Sequence, residues 1–191
     1  MKAVKLNGTG GAEVLLYADV PEPLAGPGKV LVEVAAAGVN FMDIGARRGV
    51  VGGGYNPTIL GVEGAGRVLE IGSGVIDFCV GDRVAWVFAP SSYAERVVVS
   101  ADSLVLVPDD IADHTAASLM MQGLTASHFA TDFYPVKQGD VALVHAAAGG
   151  LGQILSQLIK LGGGKVIGRV SSAAKVDAAR AAGVVVPRVV V

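Results

Sequence analysis

Between Met1 and about Pro108, short Val-rich segments alternate with turns that are rich in Gly and Pro. In residues 30–35, the valines at every second position are predicted to face one side of a sheet, and Leu31 and Glu33 the other. Short strands at such regular spacing favour a small barrel or sandwich. The strands predicted here are Val30–Ala35, Gly66–Ile71, Arg83–Phe88, Ala94–Val99 and Leu104–Val107.

After Pro108 the pattern changes to longer apolar-periodic stretches. Asp113 is predicted to cap a helix over Thr115–Met121, and a second helix is predicted over about Gly123–Phe133. Strands and helices then alternate in the order typical of a parallel sheet. These elements are the strand Val141–His145, the helix Gln153–Leu161, the strand Lys165–Val170 and the helix Ala173–Ala182. Whether a third strand begins at Val184 is left undecided, because Pro187 would interrupt a central strand.

Composition and charge exclude several classes of protein. With 52% hydrophobic residues and a mean hydropathy of +0.56, the chain is not disordered. It contains no run of about 18 uninterrupted apolar residues that would span a membrane. The balance of 15 Lys and Arg against 17 Asp and Glu argues against nucleic-acid or anionic-membrane partners. The single cysteine, Cys79, excludes a disulfide framework and a Cys-rich zinc site, and we expect a cytoplasmic protein.

A Gly-rich turn lies between the strand at 141–145 and the helix that follows it. Residues 147–152 read A-x-G-x-x-G, a dinucleotide-binding fingerprint with Ala in place of the first glycine. Gly149 would let the backbone approach a pyrophosphate, and Gly152 would allow close packing of helix on strand. The helix N-terminus would present N–H groups to the phosphates. The alternative is a tight corner between strand and helix that binds no ligand.

The segment after the second parallel strand indicates which dinucleotide would bind. An NAD site places a carboxylate there to bind the ribose hydroxyl, but residues 168–175 contain none. Two hydroxyls, Ser171 and Ser172, and two cations, Arg169 and Lys175, suit a 2′-phosphate and predict NADPH. Alternatively, one of the serines caps a helix and Lys175 is a solvated surface residue. The two interpretations are compatible.

Five motifs in register resemble one enzyme family. They are VNFMD (Val39–Asp43), GVEGAG (Gly61–Gly66), VGDRV (Val80–Val84), QGLTA (Gln122–Ala126) and HAAAGGLG (His145–Gly152). The series resembles the quinone oxidoreductase, or zeta-crystallin-like, branch of the medium-chain dehydrogenase/reductase superfamily. The resemblance implies an α/β protein with a β-rich domain. Its order would be a GroES-like partial barrel over residues 1–122 and an incomplete Rossmann fold over residues 123–191.

The resemblance also implies chemistry without zinc. Zinc-dependent members of the superfamily carry a cysteine near Asn40 and a histidine near Val62, and this chain has neither ligand. An acceptor that needs no Lewis acid, such as a quinone or an activated alkene, is therefore expected. The alternatives are an enoyl reductase of the same superfamily and a non-catalytic nucleotide-binding protein, crystallin-like or RNA-binding.

The family's functional residues map onto positions in both domains. By resemblance, Asn40 and Asp43 position the substrate and the nicotinamide, although both are also good turn residues. The cofactor-binding residues implied by the resemblance are Gln122, Thr125, His145, Ala148, Gly149, Gly150, Leu151, Ser171, Ser172 and Lys175. Thr125 could equally be an ordinary helix residue and His145 a structural one. One departure concerns acceptor binding, because relatives often have a tyrosine where this chain has Val51, and the nearest aromatic residue is Tyr55.

Relatives of this kind are much longer than 191 residues. The two parallel strands predicted at 141–145 and 165–170 would leave most of their apolar face exposed. We therefore expect the functional protein to contain more chain, including further strands and a segment that closes the first domain. By resemblance, the complete protein is expected to be a homodimer that pairs through its Rossmann sheets.

Overall fold

The computed structural model describes residues 1–50 and 58–189, and the chain forms two compact units, Met1–Met120 and Met121–Val191. The first unit is rich in strands, whereas the second alternates strands and helices. The helix α2 (Asp113–His128) begins in the first unit and ends in the second. None of the described helices is long and apolar enough to cross a bilayer.

The first unit is built on a five-stranded antiparallel sheet with the strand order β6-β3-β4-β5-β7. A separate antiparallel pair is formed by β1 and β2. The elements before α2 are β1 (Lys2–Leu6), β2 (Leu15–Asp19), β3 (Lys29–Ala37), α1 (Phe41–Arg47), β4 (Glu63–Ile71), β5 (Arg83–Val87), β6 (Arg96–Ser100) and β7 (Leu104–Leu106).

Side chains at alternate positions of these strands form the core of the first unit. Val30 and Val32 are fully buried and Val34 packs against them, whereas Glu33 is exposed, as the alternation predicts. Trp86 on β5 is the largest buried side chain in this cluster. Leu31 is also buried, at 7% exposure, so the second face of β3 is partly covered as well.

Two boundaries predicted from the sequence are wrong for identifiable reasons. The strand predicted to end at Phe88 ends at Val87, because Phe88 has a φ of +59° and leaves the extended conformation. The two helices predicted around residue 122 are one helix, α2, that continues through Gly123. A glycine inside a helix costs only about 1 kcal/mol, so it weakens the helix without ending it. A single π turn, Phe129–Phe133, follows α2.

The second unit carries a three-stranded parallel sheet with the order β10-β9-β8. Its elements are β8 (Val141–Val144), α3 (Gly150–Leu161), β9 (Lys165–Val170), α4 (Val176–Ala181) and β10 (Val184–Val189). The helix predicted over Ala173–Ala182 is divided into a 3₁₀ turn, Ala173–Lys175, and α4. Pro187 does not prevent the third strand, because β10 lies at an edge of the described sheet, where proline is tolerated.

Candidate functional site

The turn between β8 and α3 has the geometry of an anion-binding corner. Ala146 adopts a left-handed φ of +49°, and the Gly149 N–H donates to its carbonyl oxygen at 2.7 Å. The Gln153 side chain donates to the Ala148 carbonyl at 2.9 Å and fixes the turn from the helix side. Strained residues of this kind cluster at ligand sites. The turn therefore holds the N-terminus of α3 open toward solvent at Gly149, which caps the helix.

The two glycines of the fingerprint have different structural roles. A Cβ built on Gly152 would lie 2.3 Å from the Ala146 carbonyl oxygen, so this position requires glycine for packing of α3 on the turn. At Gly149 the same oxygen would be 3.1 Å away, and the φ of −82° is ordinary. Gly149 is exposed, whereas Gly152 is buried. The geometry leaves the surface at Gly149 free of a side chain.

A pocket of about 350 Å³ adjoins this turn and joins it to the end of β9. The Lys175 Nζ donates to Ser171 Oγ at 3.0 Å, so two of the predicted 2′-phosphate residues lie side by side. The residues that line the pocket are His145, Ala146, Ala148, Gly149, Arg169, Val170, Ser171 and Lys175. This lining carries two permanent cations and no carboxylate, and the first turn of α3 carries no acidic residue. A phosphate-bearing ligand suits this charge distribution.

Gln122 also lies at the Gly-rich turn, because a Cβ built on Gly150 would be 3.3 Å from Gln122 Cγ. Thr125, one helical turn further on, is partly buried and its hydroxyl donates to the Met121 carbonyl at 2.6 Å. Leu151 is partly buried in the first turn of α3. His145 lies just beyond β8 rather than ending it, and it is exposed.

Ser172 occupies a different position from the other predicted phosphate residues. It caps the 3₁₀ turn that begins at Ala173, without a hydrogen bond from its side chain, and it is not part of the pocket lining. Arg169, which directly precedes Val170 at the end of β9, does line the pocket. The structure thus brings Ser171, Lys175 and Arg169 together.

In the first unit, Asn40 and Asp43 are both buried and belong to one polar cluster. Asn40 is the N-cap of α1 and forms a capping box with Asp43, whose Oδ2 accepts the Asn40 backbone N–H at 2.9 Å. The Asn40 side-chain Nδ2 donates to Glu63 Oε1 at 2.7 Å. The Tyr93 hydroxyl donates to Asp43 Oδ2 at 2.8 Å. Asn40 is 6% exposed and Asp43 3%.

Glu63 and Tyr93 are members of this cluster that sequence reasoning did not select. Glu63 is only 1% exposed, at the start of β4. A carboxylate within the apolar, Gly-rich run GVEGAG was a usable signal, because glutamate is almost never fully buried without a partner. Nothing in the sequence around Tyr93 indicated that its hydroxyl would reach Asp43.

By the resemblance, zinc-dependent members of the superfamily carry ligands near two positions that are Asn40 and Val62 in this chain. Asn40 is bonded to Glu63, and Val62 is buried at 3% exposure. Within residues 1–50 and 58–189, no three His, Cys, Asp or Glu side chains come together as a metal-binding group. Val51 and Tyr55 lie outside the described residues. These are the two positions named above, where the chain differs from relatives that have a tyrosine for acceptor binding.

Comparison with known proteins places these two units in a family. Residues 26–109 match the alcohol dehydrogenase GroES-like domain. The quinone oxidoreductase of Pseudomonas aeruginosa is 41% identical over 180 residues, which cover 94% of this chain and 55% of that protein. The chain belongs to the quinone oxidoreductase branch of the medium-chain dehydrogenase/reductase superfamily. Its fold is accordingly a GroES-like unit followed by a Rossmann-like sheet, as the sequence predicts.

Two other similar proteins extend the comparison. The 2-haloacrylate reductase of a Burkholderia species is 37% identical over 187 residues, covering 95% of this chain and 56% of the relative. The structure of Escherichia coli quinone oxidoreductase complexed with NADPH superimposes with a TM-score of 0.93 at 33% identity. That match covers 98% of this chain and 58% of the other. The chain therefore spans somewhat more than half the length of the quinone oxidoreductases it matches.

Proposed function

We propose that the protein reduces quinones or related activated carbonyl compounds with NADPH and without zinc. The observation that carries this proposal is the pocket at the Gly-rich turn, where Arg169, Lys175 and Ser171 meet and no carboxylate lines the wall. A carboxylate would favour the free ribose hydroxyl of NADH, whereas cations favour the 2′-phosphate of NADPH. The NADPH bound by the Escherichia coli relative supports the same choice.

Different residues of the second unit would bind different parts of the cofactor. The backbone at Ala148, Gly149, Gly150 and Leu151 would hold the pyrophosphate at the N-terminus of α3. Lys175, Ser171 and Arg169 would hold the 2′-phosphate, with Ser172 supporting the turn behind them. Gln122 and Thr125 would lie toward the nicotinamide half, and His145 would form part of the pocket wall.

When bound, NADPH supplies a hydride to the acceptor. With one proton from water, a quinone becomes a hydroquinone and NADP⁺ is released, so the two electrons balance. In the first unit, Asn40 and Asp43 act as positioning residues: their hydrogen bonds to Glu63 and Tyr93 hold the start of α1 in place. Since both are buried, they would shape the acceptor surface rather than donate to it.

Activated alkenes are a second acceptor class for the same reaction. The relative from Burkholderia is, by its name, a reductase of 2-haloacrylate, an alkene conjugated to a carboxylate. Hydride addition to a conjugated alkene needs the same donor and no metal, so an enoyl-reductase type of activity is compatible with this site. A comparison of initial rates with a quinone and with an acrylate derivative ranks the two classes.

We further propose that the two compact units correspond to a GroES-like catalytic domain and a Rossmann cofactor domain, and that the functional protein is a homodimer. Light scattering or analytical ultracentrifugation of the protein tests the dimer, and a monomer at micromolar concentration contradicts it.

The experiment that tests the function follows NADPH absorbance with and without a quinone. The proposal expects oxidation only when the quinone is present. A non-catalytic nucleotide-binding protein would instead show an NADPH-dependent rise in melting temperature without oxidation. No NADPH binding at all would contradict both functions.

A further inference from the structure

Phe88 combines a strained backbone with an exposed aromatic ring. It follows β5 directly, and its φ of +59° is left-handed, a conformation that bulky residues rarely adopt. The side chain is 69% exposed, so burial does not compensate for this strain. Strained residues persist where the surrounding structure determines them fully, and they cluster at functional sites.

Hydrogen bonds on both sides of Phe88 hold this strained turn in place. The buried Trp86 indole N–H donates to Ser92 Oγ at 2.9 Å, and Ser92 Oγ donates to the Ala89 carbonyl at 3.0 Å. The Ala89 N–H donates to the Val62 carbonyl at 3.1 Å, across to the residue before β4. The Phe88 ring is therefore exposed to solvent on a turn that hydrogen bonds connect to the core.

The turn lies beside the buried polar cluster of the first unit. Val87, the residue before Phe88, pairs with Glu63, and the Gly38 N–H on the other side donates to the Glu63 carbonyl at 3.1 Å. Val39 and Phe41, which flank Asn40, are 76% and 87% exposed. Large apolar side chains at Val39, Phe41 and Phe88, next in the chain to residues that bond or pair with this cluster, are thus open to solvent. Exposed apolar side chains grouped in this way are expected of a surface that binds an apolar ligand.

We propose that Phe88 is a specificity-determining residue that stacks against the conjugated ring of the acceptor and favours extended planar acceptors. This inference rests on the proposed function. Aromatic rings attract one another in offset-stacked or edge-to-face geometry. Because hydrogen bonds already connect this turn to the core, we expect binding of a ring here to cost little additional ordering of the protein.

Two substitutions separate the aromatic contact from the backbone strain. Phe88→Gly removes the ring and relieves the left-handed strain, so the fold is expected to persist. Phe88→Leu keeps an apolar side chain and the strain but removes the aromatic face. Tyr17→Leu is the matched control, because Tyr17 is an aromatic residue of the same unit that is 73% exposed on β2.

Steady-state kinetics with a small and a large quinone provide the test. For Phe88→Gly we expect KM for phenanthrenequinone to rise about tenfold, the scale of a lost aromatic contact, and KM for benzoquinone to change much less. The rise for Phe88→Leu is expected to be intermediate, while kcat, NADPH affinity and the Tyr17→Leu variant stay near wild type. Equal KM values for wild type and Phe88→Gly with both quinones would overturn the inference and leave the proposed function standing.

If the wild-type protein does not reduce quinones, a binding measurement still tests the role of Phe88 separately from the proposed function. Trp86 is the only tryptophan, so quenching of its fluorescence by phenanthrenequinone reports binding without NADPH. Quenching that requires much more quinone in Phe88→Gly than in wild type supports the role of Phe88. Identical titrations of the two proteins contradict it.

Discussion

Asn40 and Glu63, 23 residues apart in sequence, are joined by a hydrogen bond of 2.7 Å from Asn40 Nδ2 to Glu63 Oε1. Both side chains are buried. The bond connects the N-cap of α1 to the first residue of β4. In this chain a buried polar cluster connects these two elements.

The space around Glu63 gives a prediction about Gly38. A Cβ on Gly38 would lie 2.3 Å from Glu63 Oε1 and 2.5 Å from its Cδ, so Gly38→Ala is expected to destabilise the protein by displacing Glu63. Glu63→Ala removes those atoms but leaves the Asn40 amide without this acceptor, at a cost of about 1–3 kcal/mol.

A double-mutant cycle measured by urea unfolding tests this relationship. The cost of Gly38→Ala is expected to be much smaller in the Glu63→Ala background than in wild type, because the obstructing side chain is gone. Strictly additive changes in the free energy of unfolding would show that Glu63 does not fill the space beside Gly38.

Ser92 is predicted to matter for stability far more than its size suggests. It is fully buried and links the Trp86 indole to the Ala89 carbonyl. Ser92→Ala leaves both groups without this partner, so we expect a loss of about 1–3 kcal/mol in the free energy of unfolding. Ser118→Ala is the control, since Ser118 is exposed and its hydroxyl donates to the Thr115 carbonyl within α2. Similar melting temperatures for the two variants would contradict the prediction.

Lys175 is predicted to select NADPH over NADH. Its ammonium lies beside Ser171 in the pocket, and removing a charge-assisted contact to phosphate costs about 1.5–3 kcal/mol. Lys175→Ala should therefore weaken NADPH binding and leave NADH binding nearly unchanged, as measured by titration calorimetry. Lys165→Ala, at the opposite end of β9, should change neither affinity. Equal losses for both dinucleotides would show that Lys175 does not contact the 2′-phosphate.

Substitutions of the two glycines in the turn are predicted to have different effects. Gly152→Ala places a methyl group 2.3 Å from a backbone oxygen, so it should lower the melting temperature strongly. Gly149→Val meets the Ala146 oxygen at 3.1 Å and keeps an extended backbone, so it should fold with only a modest loss of stability. Its branched side chain would occupy the surface where a pyrophosphate approaches. If NADPH raises the melting temperature of Gly149→Val as much as that of wild type, the proposed pyrophosphate site is wrong.

Sequence reasoning found those parts of the fold and site that local patterns determine. The alternation of Val30, Val32 and Val34 predicts the buried face of β3, and the A-x-G-x-x-G spacing predicts the turn before α3. Long-range relationships were not predictable in this way. The bond from Tyr93 to Asp43 joins residues 50 positions apart, and the strand formed by Val184–Val189 depends on pairing with β9, which local sequence around Pro187 opposes.

Phe88 shows why some boundaries escape a pattern-based prediction. Its aromatic side chain continues the strand pattern of residues 83–88, but the bonds among Trp86, Ser92 and Ala89 impose a turn there. Tertiary contacts thus override local propensity at a position where the exposed ring has no role in the core.

The central claim is tested most directly by hydride transfer to a quinone in protein whose metal content has been measured and which has been treated with a chelator. The account predicts one NADPH oxidised for each quinone reduced, a much lower rate with NADH, and an unchanged rate after chelation. One tightly bound zinc per chain whose removal abolishes activity, or NADPH binding without any oxidation, would contradict it.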